Sequence, residues 1–252
     1  RATDEDSRIS ASEAQLLQQT NDLTLKGVVL LERWSGDAGP SRPDTTLRTG
    51  LAQWNLDSGL LNADGPVLAQ RRDSEGTVLE QLRGRGLQGN TQVGDLMVKA
   101  PVVVRMPRQE GVLKALDTTW NFRTQTVRSA QPFEAELGKT RIDGRGFQAE
   151  LEKSTVVVNG DCRIQQPGES LSAQTCQWNW GTEEVLAEGN VQLRRDANEQ
   201  MTRACRLEGQ VGEQGRITFL APGGKVESKL RVPSQRSTES SPRPRKSAPV
   251  AF

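Results

Sequence analysis

The sequence predicts an all-β protein built from antiparallel strands, and three observations support this fold class. Helix signals are scarce, and short runs rich in Val, Thr, Ile and Phe recur between Gly, Asn, Asp or Pro residues. A pattern of about 60 residues occurs three times along the chain, which is typical of proteins assembled from repeated supersecondary units. Because no helical pattern separates the strand-like runs, crossover helices and a parallel sheet are not expected.

The repeat is marked by a Leu that precedes a Trp-Asn pair by seven positions. Its members are Leu47 with Trp54-Asn55, Leu113 with Trp120-Asn121, and Leu171 with Trp178-Asn179. An apolar residue follows each Trp by thirteen positions, at Val67, Phe133 and Val191. Three of the five tryptophans therefore occupy one repeat position, and three copies are expected to build the body of the protein.

Strand geometry places the residues of each copy on two different faces. Side chains alternate along a strand, so each Trp shares a face with the residue two positions later. The pairs are Trp54 with Leu56, Trp120 with Phe122, and Trp178 with Trp180. The intervening Asn faces the other side, either as an outward turn or strand-end residue or as a contact for a ligand head group. The apolar face is expected either to line a groove or to fill the closed core of a β-sandwich.

The two ends of the chain differ from this repeated body. Residues 1–20 are expected to form a short helix or to be disordered, because Ser12 to Gln19 favours two helical turns with Ser12 near the cap. Residues 21–232 form the repeat-built body, as one unit or as two stacked halves. Residues 233–252 are rich in Pro and Ser and are predicted to be disordered. The chain begins at Arg1, which suggests a removed signal peptide, a removed membrane anchor or a trimmed terminus.

The composition excludes several classes of function. The chain has no His, so Ser-His-Asp and Cys-His catalysis and His-ligated zinc are excluded. A net charge of +1 provides no field for holding nucleic acid. No Gly-x4-Gly-Lys-Ser/Thr phosphate-binding loop and no metal-ligand spacing is present, so neither a cofactor nor a metal is expected.

The three cysteines leave the redox state open. Cys162 and Cys176 flank a turn at 166–169 and could lie opposite each other on a hairpin, within bridging distance. A disulfide between them and a set of free, half-buried thiols are both compatible with the spacing. Cys205 has no partner in either case.

These motifs resemble those of the OstA-like family of periplasmic lipopolysaccharide-transport proteins, which includes LptA and LptC. The resemblance covers roughly residues 20–232 and rests on four features: the Leu and Trp-Asn spacing, the Gly-x-Val strand ends, the Gly-Arg-Gly turns at 84–86 and 144–146, and the segment 215–226. It implies an antiparallel β-jellyroll folded like a taco shell. An LptC-like role is favoured over an LptA-like one, since LptC relatives carry an N-terminal anchor, which would explain a chain that begins at Arg1.

The resemblance also implies a function. The protein would be a non-enzymatic carrier that holds lipopolysaccharide acyl chains in a hydrophobic groove and relays them from an inner-membrane ABC transporter towards the outer membrane. It would reside in the periplasm, tethered to the inner membrane, and would pair edge strands with an LptA-like bridge protein. The expected groove-lining residues are Trp54, Leu56, Val67, Trp120, Phe122, Phe133, Trp178, Trp180, Val191 and Phe219.

Two other classes of function remain open at this point. A solid-core β-repeat scaffold that bridges partner proteins through its edge strands would show the same repeat. An enzyme with paired carboxylates and tryptophan platforms, such as a glycoside hydrolase, has candidate residues in Glu183 and Glu184. The 32 acidic residues show no spacing that favours this second alternative.

Overall fold

A computed structural model describes residues 6–34, 42–99, 101–197, 199–210 and 216–231. Within these ranges, 22 strands form one sheet in which every pairing is antiparallel, and the single helical element is a 3-10 turn at Pro107–Gln109. The strands are β1 (Asp6–Ser10), β2 (Glu13–Leu17), β3 (Asp22–Lys26), β4 (Val29–Trp34), β5 (Thr45–Thr49), β6 (Leu51–Asn55), β7 (Leu60–Arg72), β8 (Val78–Asn90), β9 (Asp95–Val98), β10 (Val102–Met106), β11 (Gly111–Ala115), β12 (Thr118–Asn121), β13 (Thr126–Leu137), β14 (Thr140–Glu150), β15 (Thr155–Val158), β16 (Cys162–Gln166), β17 (Glu169–Ala173), β18 (Thr175–Asn179), β19 (Glu184–Arg195), β20 (Gln200–Gln210), β21 (Ile217–Leu220) and β22 (Glu227–Lys229).

The sheet is folded over along a line that crosses the middle of its longest strands. Six strands, β7, β8, β13, β14, β19 and β20, have 11 to 13 residues, and each pairs with different neighbours through its two halves. For example, the first half of β7 pairs with β6 and the second half pairs with β5. The other strands are short and follow one another in pairs, such as β5 and β6, so that each pair acts as one interrupted long strand.

The fold line divides the sheet into two layers. Layer A contains β1, β4, β5, β10, β11, β16, β17, β22 and one half of each long strand. Layer B contains β2, β3, β6, β9, β12, β15, β18, β21 and the other halves. The chain runs back and forth between the layers as a folded meander. This arrangement confirms the predicted all-β class and its antiparallel, taco-like jellyroll form.

Bulges mark the fold line in three long strands at equivalent repeat positions. The pairing register shifts between Ala63 and Pro66 in β7, between Ser129 and Pro132 in β13, and between Glu188 and Val191 in β19. An extra residue in one strand of a pair bends that strand and increases its twist. These bulges therefore turn each long strand from one layer into the other.

The Gly-Arg-Gly motifs lie on the same fold line, in β8 and β14. Gly86 and Gly146 have positive φ angles of 72° and 75°, which side chains other than glycine rarely adopt. A Cβ atom on Gly144 would lie 2.4 Å from Cγ1 of Val158, so that position is also restricted by space. The two motifs are bends in the sheet, where backbone conformation and close packing both require glycine.

The two layers pack their inward faces together around two clusters of buried apolar residues. The N-terminal cluster is formed by strands β3 to β10, and the C-terminal cluster by strands β11 to β20. In β7 the buried residues are Leu61, Ala63, Val67 and Ala69, which follows the alternation read from the sequence. Both clusters lie within one continuous sheet.

The N-terminal segment differs from the expected helix. Strands β1 and β2 occupy it, and β2 pairs with β3 from Glu13 opposite Lys26 to Leu17 opposite Asp22. The local helix propensity of this segment is overridden because pairing with β3 satisfies its backbone groups. The expected boundary after residue 20 falls inside the β2–β3 turn, and the tail at 233–252 lies outside the described residues.

Candidate functional site

The repeated tryptophans lie at the outer end of layer B. Trp54, Trp120 and Trp178 are the next-to-last residues of β6, β12 and β18, at equivalent positions, and each is half-buried. Cross-strand pairing joins them into a single row of apolar or glycine residues that runs across the whole layer. This tryptophan row is Leu16, Leu23, Trp54, Leu61, Gly89, Leu96, Trp120, Val127, Ala149, Val156, Trp178, Val185, Gly209 and Ile217. At about 4.8 Å between strands, the row is roughly 60 Å long.

Two of the three repeat tryptophans carry an unused hydrogen-bond donor. The Nε1 atoms of Trp54 and Trp178 are buried and have no hydrogen-bond partner within the described part of the chain. A buried donor without a partner costs about 1–3 kcal/mol, so most buried indoles are paired. These donors are therefore able to bond with an acceptor that enters between the layers.

A second apolar row follows just beyond the tryptophans, in the turns that close layer B. We call the turns at 17–22, 55–60, 90–95, 121–126, 150–155 and 179–184 the turn edge. Leu56, Phe122 and Trp180 are equivalent there, and each is the first residue after a repeat Asn. Their amides donate to the carbonyl groups of Asn21, Gly94 and Ser154 in the preceding turns, at 3.0, 3.0 and 2.9 Å. The strand ladder thus continues through the turns and holds this apolar row in place.

The repeat asparagines Asn55, Asn121 and Asn179 lie at strand ends and connect these turns. Each Oδ1 accepts a main-chain amide of its own turn, and each Nδ2 donates to a main-chain carbonyl of the preceding turn. Asn side chains are favoured at such positions because they bond the backbone a few residues ahead. Their amide groups are thus engaged by protein in all three repeats, as expected for strand-end residues.

Two of these asparagines also bond a carboxylate. Nδ2 of Asn121 lies 2.8 Å from Oδ1 of Asp95, its cross-strand neighbour. Nδ2 of Asn55 lies 2.8 Å from Oδ1 of Asp22, its cross-strand neighbour. The bond from Asn55, followed by a smaller contribution from Thr20, lowers the pKa of Asp22 below its ordinary value. The turn edge is therefore polar on its outer side, next to the apolar row on its inner side.

The other predicted groove residues lie deeper in the fold. Val67, Phe133 and Val191 are buried beside the fold line, where the rings of Phe133 and Phe147 meet edge to face at 4.9 Å. Phe219 in β21 packs against the C-terminal cluster. The structure thus sorts the ten residues into an inner set (Val67, Phe133, Val191 and Phe219), the tryptophan row (Trp54, Trp120 and Trp178) and the turn edge (Leu56, Phe122 and Trp180).

An apolar cavity lies between the layers in the N-terminal half. Its volume is about 30 Å³, and its lining includes Ile9, Leu31, Leu47, Trp54, Leu61 and Thr91. We call it the N-terminal cavity. A cavity of this size holds about one water molecule, so the two layers are packed against each other around it.

The two buried cysteines form a disulfide, and its geometry differs from the expected one. Cys162 and Cys176 are bonded, with 6.0 Å between their Cα atoms. In the hairpin of β16 and β17, however, Cys162 lies opposite Ala173, and Cys176 belongs to β18 in the other layer, opposite Val158. The chain crosses the fold line between Ala173 and Cys176, so the disulfide joins the two layers on the inner side of the bend. Cys205 is exposed and free.

Within the described ranges, no three His, Cys, Asp or Glu side chains are grouped as metal ligands. The same ranges contain no helix long and apolar enough to cross a membrane.

Comparisons with known proteins give a weak structural likeness. No protein-family model and no curated protein matches the chain. One similar solved structure is that of LptH, the LptA homologous periplasmic component of the conserved lipopolysaccharide transport device from Pseudomonas aeruginosa. The identity is 11%, the alignment covers 73% of this chain and 82% of that chain, and the TM-score is 0.21. The fold described above rests on the strand pairing of this chain itself.

Proposed function

We propose that this protein is a non-enzymatic carrier that holds the acyl chains of lipopolysaccharide between the two layers of its folded sheet. The observation that carries the proposal is the tryptophan row, a continuous row of apolar and glycine residues roughly 60 Å long that contains three half-buried indole rings at the outer end of layer B. Large apolar side chains at the outer end of the layers suit the mouth of a lipid-binding groove.

The energetics favour acyl chains as the ligand. Each buried methylene contributes about 0.8 kcal/mol, so several chains that lie along the row gain enough to offset separation of the layers. The layers meet at a fold line where Gly86 and Gly146, both with positive φ angles, allow the strands to bend sharply. The polar outer side of the turn edge then faces the sugar and phosphate groups, which remain in water.

The transport context completes the proposal. The carrier receives lipopolysaccharide from an inner-membrane ABC transporter and passes it to an LptA-like periplasmic bridge, in an LptC-like position tethered to the inner membrane. Its support is the sequence resemblance and the two open ends of the sheet. Among the described strands, β1 and β2 pair on one side only, and so do β21 and β22. Such edges accept a strand from a partner.

The alternative is a scaffold with a solid core, and the small size of the N-terminal cavity favours it. If the layers never separate, Val67, Phe133 and Val191 are core residues and no acyl chain enters. The scaffold would then act only through the open ends of its sheet.

A crosslinking experiment separates the two functions. A photo-crosslinking residue is placed at Trp120 or Trp178, and the protein is incubated with lipopolysaccharide, illuminated and analysed by native mass spectrometry. The matched control carries the same residue at Gln177, which precedes Trp178 and is exposed on the outer face of β18. We expect a lipid adduct at the tryptophan positions and none at Gln177. A folded protein that forms no adduct at any position would establish the solid-core alternative.

A further inference from the structure

The disulfide of the third repeat and the N-terminal cavity of the first repeat occupy equivalent places in the fold. Cys162 in layer A corresponds to Val29, since each lies opposite the residue two positions after the repeat Leu. Cys176 in layer B corresponds to Ala52, since each lies two positions before the repeat Trp. Val29 and Ala52 both line the N-terminal cavity. The place where the third repeat carries a covalent link between the layers is therefore part of a cavity in the first repeat.

The N-terminal cavity extends from the turn edge to the fold line. Its outer part is lined by Trp54 and by Thr91 of the turn 90–95, and its inner part by Val29 and Ala52 beside the bend. Ala52, Trp54 and Leu56 alternate along one face of the chain, and the distance from Leu56 inward to Ala52 is about 14 Å. The cavity therefore follows a path that leads from the mouth of the two layers to the bend.

The disulfide closes the equivalent path in the third repeat. Cys162 and Cys176 are buried, and their Cα atoms are 6.0 Å apart. Disulfides rarely span more than about 6.8 Å between Cα atoms, so the layers can separate there by only about 1 Å. An acyl chain between two layers needs carbon contacts of about 3.5–4.0 Å on each side. No acyl chain can therefore pass between the bonded cysteines.

This restraint belongs to the third repeat alone. The second repeat has Val102 and Thr118 at the two equivalent places, and both are buried. The chain has one further cysteine, Cys205, and it is exposed and free. The inner side of the bend is thus linked covalently at one end of the groove and held by packing in the other two repeats.

We propose that the disulfide between Cys162 and Cys176 is a depth stop, which lets an acyl chain turn inward to the fold line in the first repeat but not in the third. In the third repeat the chain then contacts only the tryptophan row. This inference rests on the proposed carrier function and adds the place where one chain leaves that row. The inner lining of the N-terminal cavity includes Leu25, Leu47 and Ala63, which suit the methylene end of an acyl chain.

The test moves the disulfide to the first repeat. The variant V29C/A52C is made in a background that carries C162V/C176A/C205S, so that the new pair has no competing thiol. Each protein is measured oxidised and reduced, and the background without the new pair is the matched control. The probes are octanoate and hexadecanoate, and their dissociation constants are measured by displacement of the fluorescent fatty acid cis-parinaric acid.

We expect oxidised V29C/A52C to bind hexadecanoate at least about tenfold more weakly than its reduced form, the value of about two buried methylene groups. Octanoate is too short to reach from the turn edge to the fold line, so it binds both forms alike. The background binds each probe equally with and without reductant. Equal affinities of the two forms for hexadecanoate would overturn the depth stop while leaving the carrier function intact. If the wild type binds neither lipopolysaccharide nor hexadecanoate, the carrier function itself fails.

A second comparison decides the question if the new cysteines do not bond. C162V/C176A gives the third repeat the inner residues of the first, and Cys205→Ser is its matched control because it keeps the native disulfide. We expect native mass spectrometry at saturation to find more hexadecanoate bound to C162V/C176A than to the oxidised wild type, and no increase for Cys205→Ser. Equal amounts bound to all three proteins would show that the disulfide does not limit the depth of the groove.

Discussion

At the scale of single residues, the tryptophan and the asparagine have different roles in each repeat. The Trp presents a large apolar surface at the open end of layer B, and the Asn beside it fixes the turn through side-chain bonds to two backbones. Both roles follow from strand alternation, which places neighbours on opposite faces. The two residues therefore serve opposite faces of the same strand end.

The first prediction concerns the tryptophan row. We expect Trp178→Glu to reduce lipopolysaccharide binding at least tenfold, because a carboxylate at this inward position is costly to bury with acyl chains. The matched control is Gln177→Glu, the same charge on the outer face of the same strand, which is expected to leave binding unchanged. Binding is measured by titration after circular dichroism has shown that both variants are folded. Equal binding by the two variants would show that the row does not contact lipid.

The second prediction concerns Asp22 and follows from its hydrogen bond with Asn55. The folded protein holds the pKa of Asp22 below its ordinary value, chiefly through the Asn55 bond. A lowered pKa gives stability that is present above the pKa of the unfolded chain, about 3.9, and is lost as the pH falls through the folded value. We expect Asn55→Ala to raise the pKa of Asp22 towards its ordinary value in a carboxyl-detected NMR titration. An unchanged pKa in that variant would mean that Asn55 does not set it.

At the scale of elements, the sequence predicted which strands share a pattern but not where the first of them begins. The Trp-Asn copies fall in β6, β12 and β18, as their spacing indicates. In contrast, the segment from Ser12 to Gln19 contains good helix formers and yet forms β2 and the following turn. Its conformation is decided by β3, the partner strand, and local propensity carries no information about that pairing.

The third prediction tests the fold line. Gly144 has no space for a side chain, since a Cβ atom there would lie 2.4 Å from Cγ1 of Val158. We expect Gly144→Ala to lower the free energy of unfolding by about 1–3 kcal/mol, the usual cost of overpacking. Gly160→Ala is the control, because its Cβ would have no neighbour closer than 3.4 Å. Denaturant unfolding of both variants gives the comparison, and equal stabilities would show that the bend tolerates side chains.

The fourth prediction uses the equivalence of repeats at the disulfide. Strand pairing places Cys162 and Cys176 at the positions that Val29 and Ala52 occupy in the first repeat, and all four residues are buried. We therefore expect the double variant C162V/C176A to fold with good packing and to melt at the same temperature with or without reductant. In the wild type, reduction is expected to cost about 3 kcal/mol, as for a loop of this length.

The control for this prediction is Cys205→Ser, at the exposed free thiol. It is expected to keep the sensitivity of the wild type to reductant. If wild-type protein expressed under oxidising conditions has three thiols that can be alkylated, the disulfide does not form in solution.

At the scale of the whole molecule, the meander and its twist determine which features of the fold could be predicted from the sequence. Among the described strands, each long strand or pair of short strands pairs only with its neighbours along the chain. The repeat alone was therefore enough to predict a long antiparallel sheet with one apolar face. The hydrogen bond from Arg33 in β4 to the carbonyl of Phe122 in the turn edge lies outside that logic, because 89 residues separate the two partners in the sequence. The contact depends on the angle at which the twisted layers cross. That angle is the sum of small rotations between many neighbouring strands. No spacing in the sequence records that angle.

The last prediction concerns the open ends of the sheet. All five residues of β2 are exposed, including Leu16 and Leu17 at 47% and 55%, and β2 pairs only with β3 among the described strands. At the other end, β21 and β22 pair only with β20 within the described part of the chain. Unpaired backbone beside exposed apolar side chains favours strand addition, and both ends belong to the same folded sheet, so one copy can continue the sheet of another.

We expect the wild type to sediment faster as its concentration rises, whereas L16K/L17K remains monomeric, because charged side chains on an edge strand oppose pairing. A second variant, L220K, places one charge on β21 at the opposite end of the sheet. It is expected to weaken association as well, because both ends take part in the pairing. A wild type that stays monomeric at every concentration, or a β2 variant that associates normally, would show that copies of this chain do not pair through β2.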